Sequence, residues 1–326
     1  MTSCTAPDNL SSAFPRLTQA QAPLTHTVDV VNERGEYEQL QIPAERPLTV
    51  YVDKRELVTL MTLGAHPELL VLGYLRNQRL VESVFDIESI TVDWEVHAAA
   101  VRTRHGIARL EERTATKVVT TGCGQGSIFG GLMDEVDRLV LPEASLTQAQ
   151  LYGIVNAIRL QETTYKSAGS VHGCALFRGE ELLTFVEDVG RHNAIDTIAG
   201  WMWMNPESPR QHAGSDLSSA TDAAPGSTGA AAEVAAPATD AQGVDGRPGF
   251  MSGSDKVFYT TGRLTSEMVI KSAQMGVPIV VSRSGMTQMG HAVAQQLGLC
   301  AIGRATNRRF VCYAGAHRLV LQPELA

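Results

Sequence analysis

The sequence predicts an α/β fold, in which a layered α/β domain follows a smaller α+β one. Three observations carry this expectation. After Lys256, strand-like and helix-like runs alternate in the order β-α-β-α-β. The stretch "PIVVSR", Pro278–Arg283, is apolar nearly throughout, as a strand covered on both faces is. The helix-like runs also carry start and stop signals. Thr265 or Ser266 precedes "SEMVIKSAQM", Gly276 and Pro278 follow it, and Gly298 closes "TQMGHAVAQQL".

Residues 1 to about 35 are polar and rich in Ser, Thr, Ala and Pro, so a disordered tail is expected there. Residues 36–115 form the small α+β unit. "EYEQLQI" and "PLTVYVDK" alternate like strands, and "ESITVDWEV" and "AAAVRTR" add two more. Between them "HPELLVLGYLRNQRL" starts with Pro67 in a first turn and sets Leu69, Leu70, Leu72 and Leu75 at helical spacing. A glycine-rich loop spans 116–132. The α/β domain covers 133–316. In it, "LTQAQLYGIVNAIRLQ" places Leu151, Ile154, Val155 and Ile158 on one stripe. "GCALF" and "LLTFVED" make a hairpin about "RGEE", and "VGRHNAIDTIAGWMWM" returns to helical spacing. "KVFYTT", "LCAIGRA" and "RRFVCYA" are further strands.

One segment breaks the pattern. Residues 205–255 are built from Ala, Gly, Ser, Thr, Pro and Asp, with too few large apolar side chains to offset the entropy of ordering. The layer pattern resumes beyond it, so it reads as a disordered insertion within one domain.

Composition limits function. The 326 residues are 44% hydrophobic and carry a net charge of −8, which argues against a dedicated nucleic-acid binder. No run approaches the length of a membrane span, and the N-terminus has no signal-peptide pattern. Five cysteines at wide spacing do not make a disulfide framework. A reduced, cytoplasmic protein is the expectation.

Four stretches hold candidate chemistry. In "KVVTTGCGQGSIFGG", Cys123 sits among Gly122, Gly124 and Gly126, on a hinge where a thiolate can swing between two positions. "VHGCA" pairs His172 with Cys174, too little for a metal site. "EDVGRHNAID" gathers Glu187, Asp188, Arg191, His192, Asn193 and Asp196 at a strand-to-helix turn. Arg191 can grip a carboxylate or phosphate in two prongs, and His192 titrates near neutrality. A capping network, with Asp188 closing the helix and Arg191 paired to Glu187, is the other reading. "TTGRLTSE" puts Arg263 at a strand end before a helix, where a phosphate or a plain capping box fits. "GRATNRRF" sets Arg304, Arg308 and Arg309 beside Asn307 and Phe310, a hairpin tip suited to phosphates and a base. Cys174, Cys300 and Cys312 lie in strand patterns, where core packing is expected. Neither a Walker A motif nor G-x-G-x-x-G is present, and C-x-x-C and the zinc deaminase signature are missing.

"EDVGRHNAID", "TTGRLTSEMVIKSAQMGVPIVVSRSG", "HPELLVLGYL" and the "TTGCG" loop together resemble the formate dehydrogenase accessory sulfurtransferases (FdhD). The likeness runs from about Leu40 to Tyr313, outside the insertion. It implies a sulfurtransferase that takes sulfur from a cysteine desulfurase as a persulfide on Cys123. The acceptor is the molybdenum cofactor bis(molybdopterin guanine dinucleotide), destined for formate dehydrogenase. The likeness also implies a homodimer, a cytidine-deaminase-like three-layer domain without an intrinsic metal, and cofactor contacts at Ala305, Thr306, Asn307, Arg308, Arg309 and Phe310. Arg191, His192 and Arg263 join them as candidates. A non-catalytic chaperone that delivers the cofactor is the alternative. Many family members carry C-x-x-C in the loop, whereas here Gly126 holds the second position. A relay through one thiol survives that change, because each exchange needs one attacking thiolate.

Overall fold

The structure, a computed structural model, describes residues 13–107, 136, 138–161, 163–206 and 251–326. The larger unit is built on a six-stranded sheet in the order β10-β9-β11-β12-β13-β14. Its centre is three parallel strands: β11 (Lys256–Thr260), β12 (Ile279–Ser282) and β13 (Cys300–Thr306). β9 (His172–Arg178) joins them antiparallel on one side, with β10 (Glu181–Asp188) antiparallel to β9 beyond it, and β14 (Arg309–Ala314) is antiparallel on the other.

Alternation along these strands divides the core into two layers. Phe258, Val280 and Ala301 point to one face. There they pack against helices α4 (Arg191–Met204), α5 (Ser266–Gln274) and α6 (Gln288–Leu297). Tyr259, Val281 and Ile302 point to the other, against Leu151, Ile154 and Ile158 of α2 (Gln148–Gln161). Helices therefore cover both faces, as the unbroken apolar strands require. Both crossovers, through α5 and α6, lie on the same face, and because β11, β12 and β13 are parallel their carboxyl ends open on one edge.

The smaller unit is a five-stranded sheet, β1-β6-β7-β4-β5, with α1 (Pro67–Asn77) packed on it. Its strands are β1 (Arg16–Leu17), β4 (Arg46–Val52), β5 (Arg55–Thr62), β6 (Ile87–Asp93) and β7 (Ala98–Thr103). α1 also packs against α4, and this contact joins the two units. A Cβ at Gly73 would stand 1.6 Å from the Asp196 carbonyl oxygen, and one at Gly200 would stand 2.0 Å from that of Leu69. Only two glycines let the helix backbones meet so closely.

The structure differs from the sequence expectation at several points. Residues 13–35 are ordered: β1 pairs with β6, and β2 (Thr25–Val31) forms a ribbon with β3 (Tyr37–Pro43). The tail's composition hides the alternation of Val28 and Val30 with polar neighbours, and the Asn32–Gly35 turn that joins the two strands. β5 and the short helix Thr163–Ala168 are elements that the sequence expectation does not name, and Met251, inside the expected insertion 205–255, is buried in the core of the larger unit. The loop at 116–132 and the insertion's residues 207–250 lie outside the described residues. No helix among the described residues is long and apolar enough to cross a membrane.

Candidate functional site

The open edge of the parallel strands holds a cavity of about 520 Å³. Tyr259 lies next to the end of β11, Arg283 follows β12, and Ala305–Arg308 end β13 and turn the hairpin. The far wall is α2, through Tyr152, Asn156 and Arg159. These three recur at i, i+4 and i+7, the polar counterpart of the buried stripe at Leu151, Ile154 and Ile158.

The hairpin tip is fixed from both sides. Thr306 pairs with Arg309, which leaves Asn307 and Arg308 as a two-residue turn. Asn307 takes the left-handed φ of 52° at the first turn position, which a side-chain amide tolerates better than most residues. The Tyr152 hydroxyl donates to the Arg308 carbonyl at 3.0 Å and accepts from Gln148 Nε2 at 2.7 Å. The Tyr152 and Phe310 rings meet edge to face, with centroids 6.3 Å apart. On the other side of the tip, Arg304, Arg309 and Phe310 line a second, more open cavity of about 690 Å³. It shares Tyr152, Thr306 and Arg308 with the first. Arg304, Arg308 and Arg309 are exposed, so their guanidinium groups are reachable. Arg283 lies over the Tyr165 ring, 5.6 Å from its centre. The result is a recess with three guanidiniums, two phenol rings and two side-chain amides, a donor-rich set suited to phosphate and a flat heterocycle.

The other candidates lie elsewhere on this edge. Arg191 opens α4, buried, and its side chain presses on Gly262, where a Cβ would sit 3.0 Å from Arg191 Cδ. His172 is beside it. Burial, then the charges of Arg191 and Arg263, hold its imidazole below the ordinary histidine range and so neutral. Arg263 itself is exposed. None of Arg191, His192 and Arg263 lines either cavity. His192 faces the core. Its Nε2 is 3.1 Å from Glu267 Oε2, Glu267 Oε1 is 3.6 Å from Lys271 Nζ, and Lys271 Nζ is 2.8 Å from Asp196 Oδ2. Asn77 of α1 completes the chain with a 2.7 Å bond to Asp196 Oδ1. Burial works against the Lys271 charge, but Asp196 and Glu267 outweigh it and raise the ammonium's pKa.

The acids of "EDVGRHNAID" turn inward too. Glu187 accepts from the Thr164 and Tyr165 backbone amides at 2.7 and 3.0 Å, in the first turn of α3 (Thr163–Ala168). Asp188 accepts four bonds. Two come from its own turn, the Gly190 amide and Asn193 Nδ2, and two from the smaller unit, the Thr62 hydroxyl and the Leu63 amide. Burial still pushes its carboxyl up to about 6. Much of the motif therefore fixes the edge in place and ties it to the smaller unit. Cys123 lies outside the described residues.

Comparison with known proteins agrees with this architecture. The FdhD/NarQ family model matches residues 43–215 and 249–320. The sulfur carrier protein FdhD of Bacillus subtilis is 26% identical over 291 residues, covering 88% of this chain and 94% of its own. Its namesake from Listeria innocua is 25% identical over 292 residues, covering 88% and 95%. A crystal structure from Desulfotalea psychrophila, assigned as a formate dehydrogenase accessory protein, superposes with a TM-score of 0.62. It covers 91% of this chain and all of its own at 21% identity, a likeness of fold. With the family model spanning both units and both sides of the insertion, the chain belongs to the FdhD/NarQ family.

Proposed function

We propose that this protein is a sulfurtransferase: it carries sulfur as a persulfide on Cys123 and hands it to bis(molybdopterin guanine dinucleotide), which formate dehydrogenase needs. The observation that carries this reading is the recess at Ala305–Arg308. Its exposed guanidiniums and phenol rings suit the phosphates and guanine of that substrate. The relatives' name, sulfur carrier protein, supports the cargo.

In the loading step, the Cys123 thiolate attacks the terminal sulfur of the donor's persulfide. A new sulfur–sulfur bond forms at Cys123 and the donor's cysteine leaves as thiolate, so no net oxidation occurs. One loop thiol suffices for that exchange, although Gly126 replaces the second cysteine. Arg308 and Arg309 would hold phosphate at the hairpin, and Arg283 would hold it at the β12 end. A cysteine desulfurase as donor, a cytoplasmic homodimer and a deaminase-like arrangement of 133–316 complete the reading. The six-stranded sheet with helices on both faces supports the last of these.

Complementation tests the reading. A host lacking its own copy regains formate dehydrogenase activity from the wild-type chain and not from Cys123→Ser. Full activity from the serine variant would favour a cofactor chaperone.

A further inference from the structure

Tyr165 of α3 lines neither cavity, yet it is joined to the recess through Arg283. The Arg283 guanidinium lies over the Tyr165 ring, 5.6 Å from its centre. Arg283 follows β12 directly and lines the cavity at the open edge. α3 has six residues, too few for a helix to hold its place alone. Its position comes from neighbours. Glu187, near the end of β10, is buried and accepts from the Thr164 and Tyr165 amides at 2.7 and 3.0 Å. These amides belong to the first turn, where the helix itself offers no acceptor. The Gly169 amide donates to the Tyr165 carbonyl at 2.9 Å. Lys166 Nζ donates to the Arg159 carbonyl of α2 at 2.9 Å, and β3 of the ribbon packs against the same short helix.

The backbone of Tyr165 is therefore bonded at both its N–H and its C=O, and its ring is placed by the sheet, by α2 and by the smaller unit's ribbon. Arg283, by contrast, is an exposed side chain with many rotamers. An arginine that must stop moving to hold phosphate gives up that freedom on binding. A ring beside the guanidinium restricts it before the ligand arrives. It does so without a hydrogen bond, so it does not compete with phosphate for the N–H donors.

We infer that Tyr165 is a positioning residue for the recess: its ring holds the Arg283 guanidinium ready for a phosphate at the β12 end. The inference rests on the proposed reading of the recess as a nucleotide site and deepens it. The phosphate grip then includes a side chain that touches no ligand. Glu187, the first acid of "EDVGRHNAID", gains a part in the site as well, because it fixes the turn that carries the ring.

Calorimetric titration of the full chain with guanosine diphosphate tests this as a double-variant cycle. The Tyr165 side chain is exposed, so its replacement opens no core. Tyr165→Ala is expected to weaken binding about threefold, and Tyr165→Phe, which keeps the ring, to stay within about twofold of wild type. In the Arg283→Ala background, Tyr165→Ala is expected to cost nothing further, because no guanidinium remains for the ring to hold. A purely structural role for Tyr165 would weaken both backgrounds alike. Equal weakening in the two backgrounds overturns the inference and leaves the recess reading standing. So does wild-type affinity in Tyr165→Ala beside weakened binding in Arg283→Ala. Wild-type affinity in Arg283→Ala, or no binding by the wild-type chain, overturns the recess reading and the inference with it.

Discussion

The Thr62 hydroxyl donates to Asp188 Oδ2 at 2.5 Å, and this buried bond joins the end of β5 to the turn that begins α4. The smaller unit therefore sets the position of Arg191 and His192. In Asp188→Asn, one of the two carboxylate oxygens becomes an amide facing two donors. A loss of about 2–4 kcal/mol is expected in denaturant unfolding, since buried donors lose their acceptor. The pH dependence has a definite sign. The folded pKa of about 6 lies above the unfolded value near ~3.9, so between the two the folded chain holds more protons. This group therefore adds stability as pH falls through that window, by up to about 3 kcal/mol. The stability gap between wild type and Asp188→Asn widens toward acid. A flat gap would contradict the assignment.

The approach of α1 to α4 makes a different demand. Gly73→Ala improves helix propensity by about 1 kcal/mol, but its methyl meets the Asp196 carbonyl. The two helices must separate, and a net loss of about 1–3 kcal/mol follows. Gly200→Ala behaves alike. Thermal unfolding of both variants measures it, and an unchanged midpoint would show that the helices yield without cost.

Lys271 is the buried cation between Asp196 and Glu267. Lys271→Met leaves two carboxylates with less compensation, at an expected loss of about 3–5 kcal/mol. Adding Asp196→Asn removes one of those charges and restores part of the loss. Equal stability of the single and double variants would show that the ion pair is not coupled.

Arg308→Ala and Arg283→Ala remove exposed or partly exposed guanidiniums from the recess without opening the core. Each is expected to weaken guanosine diphosphate binding about tenfold, since a charge-assisted bond contributes about 1.5–3 kcal/mol, with stability unchanged. Calorimetric titration checks this, and wild-type affinity in both variants would place the nucleotide elsewhere.

Much of the fold was legible in the sequence because strong local signals agree with the final packing. Pro67, Thr265 and Gly298 mark helix ends where the structure has them, and the apolar runs of β11 and β12 are buried on both faces. The site was legible in part. The basic tip at Arg308 shows in composition, but Tyr152, Asn156 and Arg159 do not stand out, because a polar helix face looks the same whether it meets solvent or a ligand. Conversely, "EDVGRHNAID" advertises chemistry, while Glu187, Asp188, His192 and Asp196 point into the structure. Residue type does not encode direction at a turn. That direction depends on α1, α3, α5 and the Thr62 strand end, which are remote in sequence.

The central claim concerns sulfur on one cysteine, and intact-mass spectrometry tests it most directly. The purified chain is incubated with a cysteine desulfurase and cysteine, beside its Cys123→Ala variant. The wild-type chain is expected to gain one sulfur atom that a reductant removes, and the variant to gain none. An equal gain in both, or no gain in the wild type, would contradict the account.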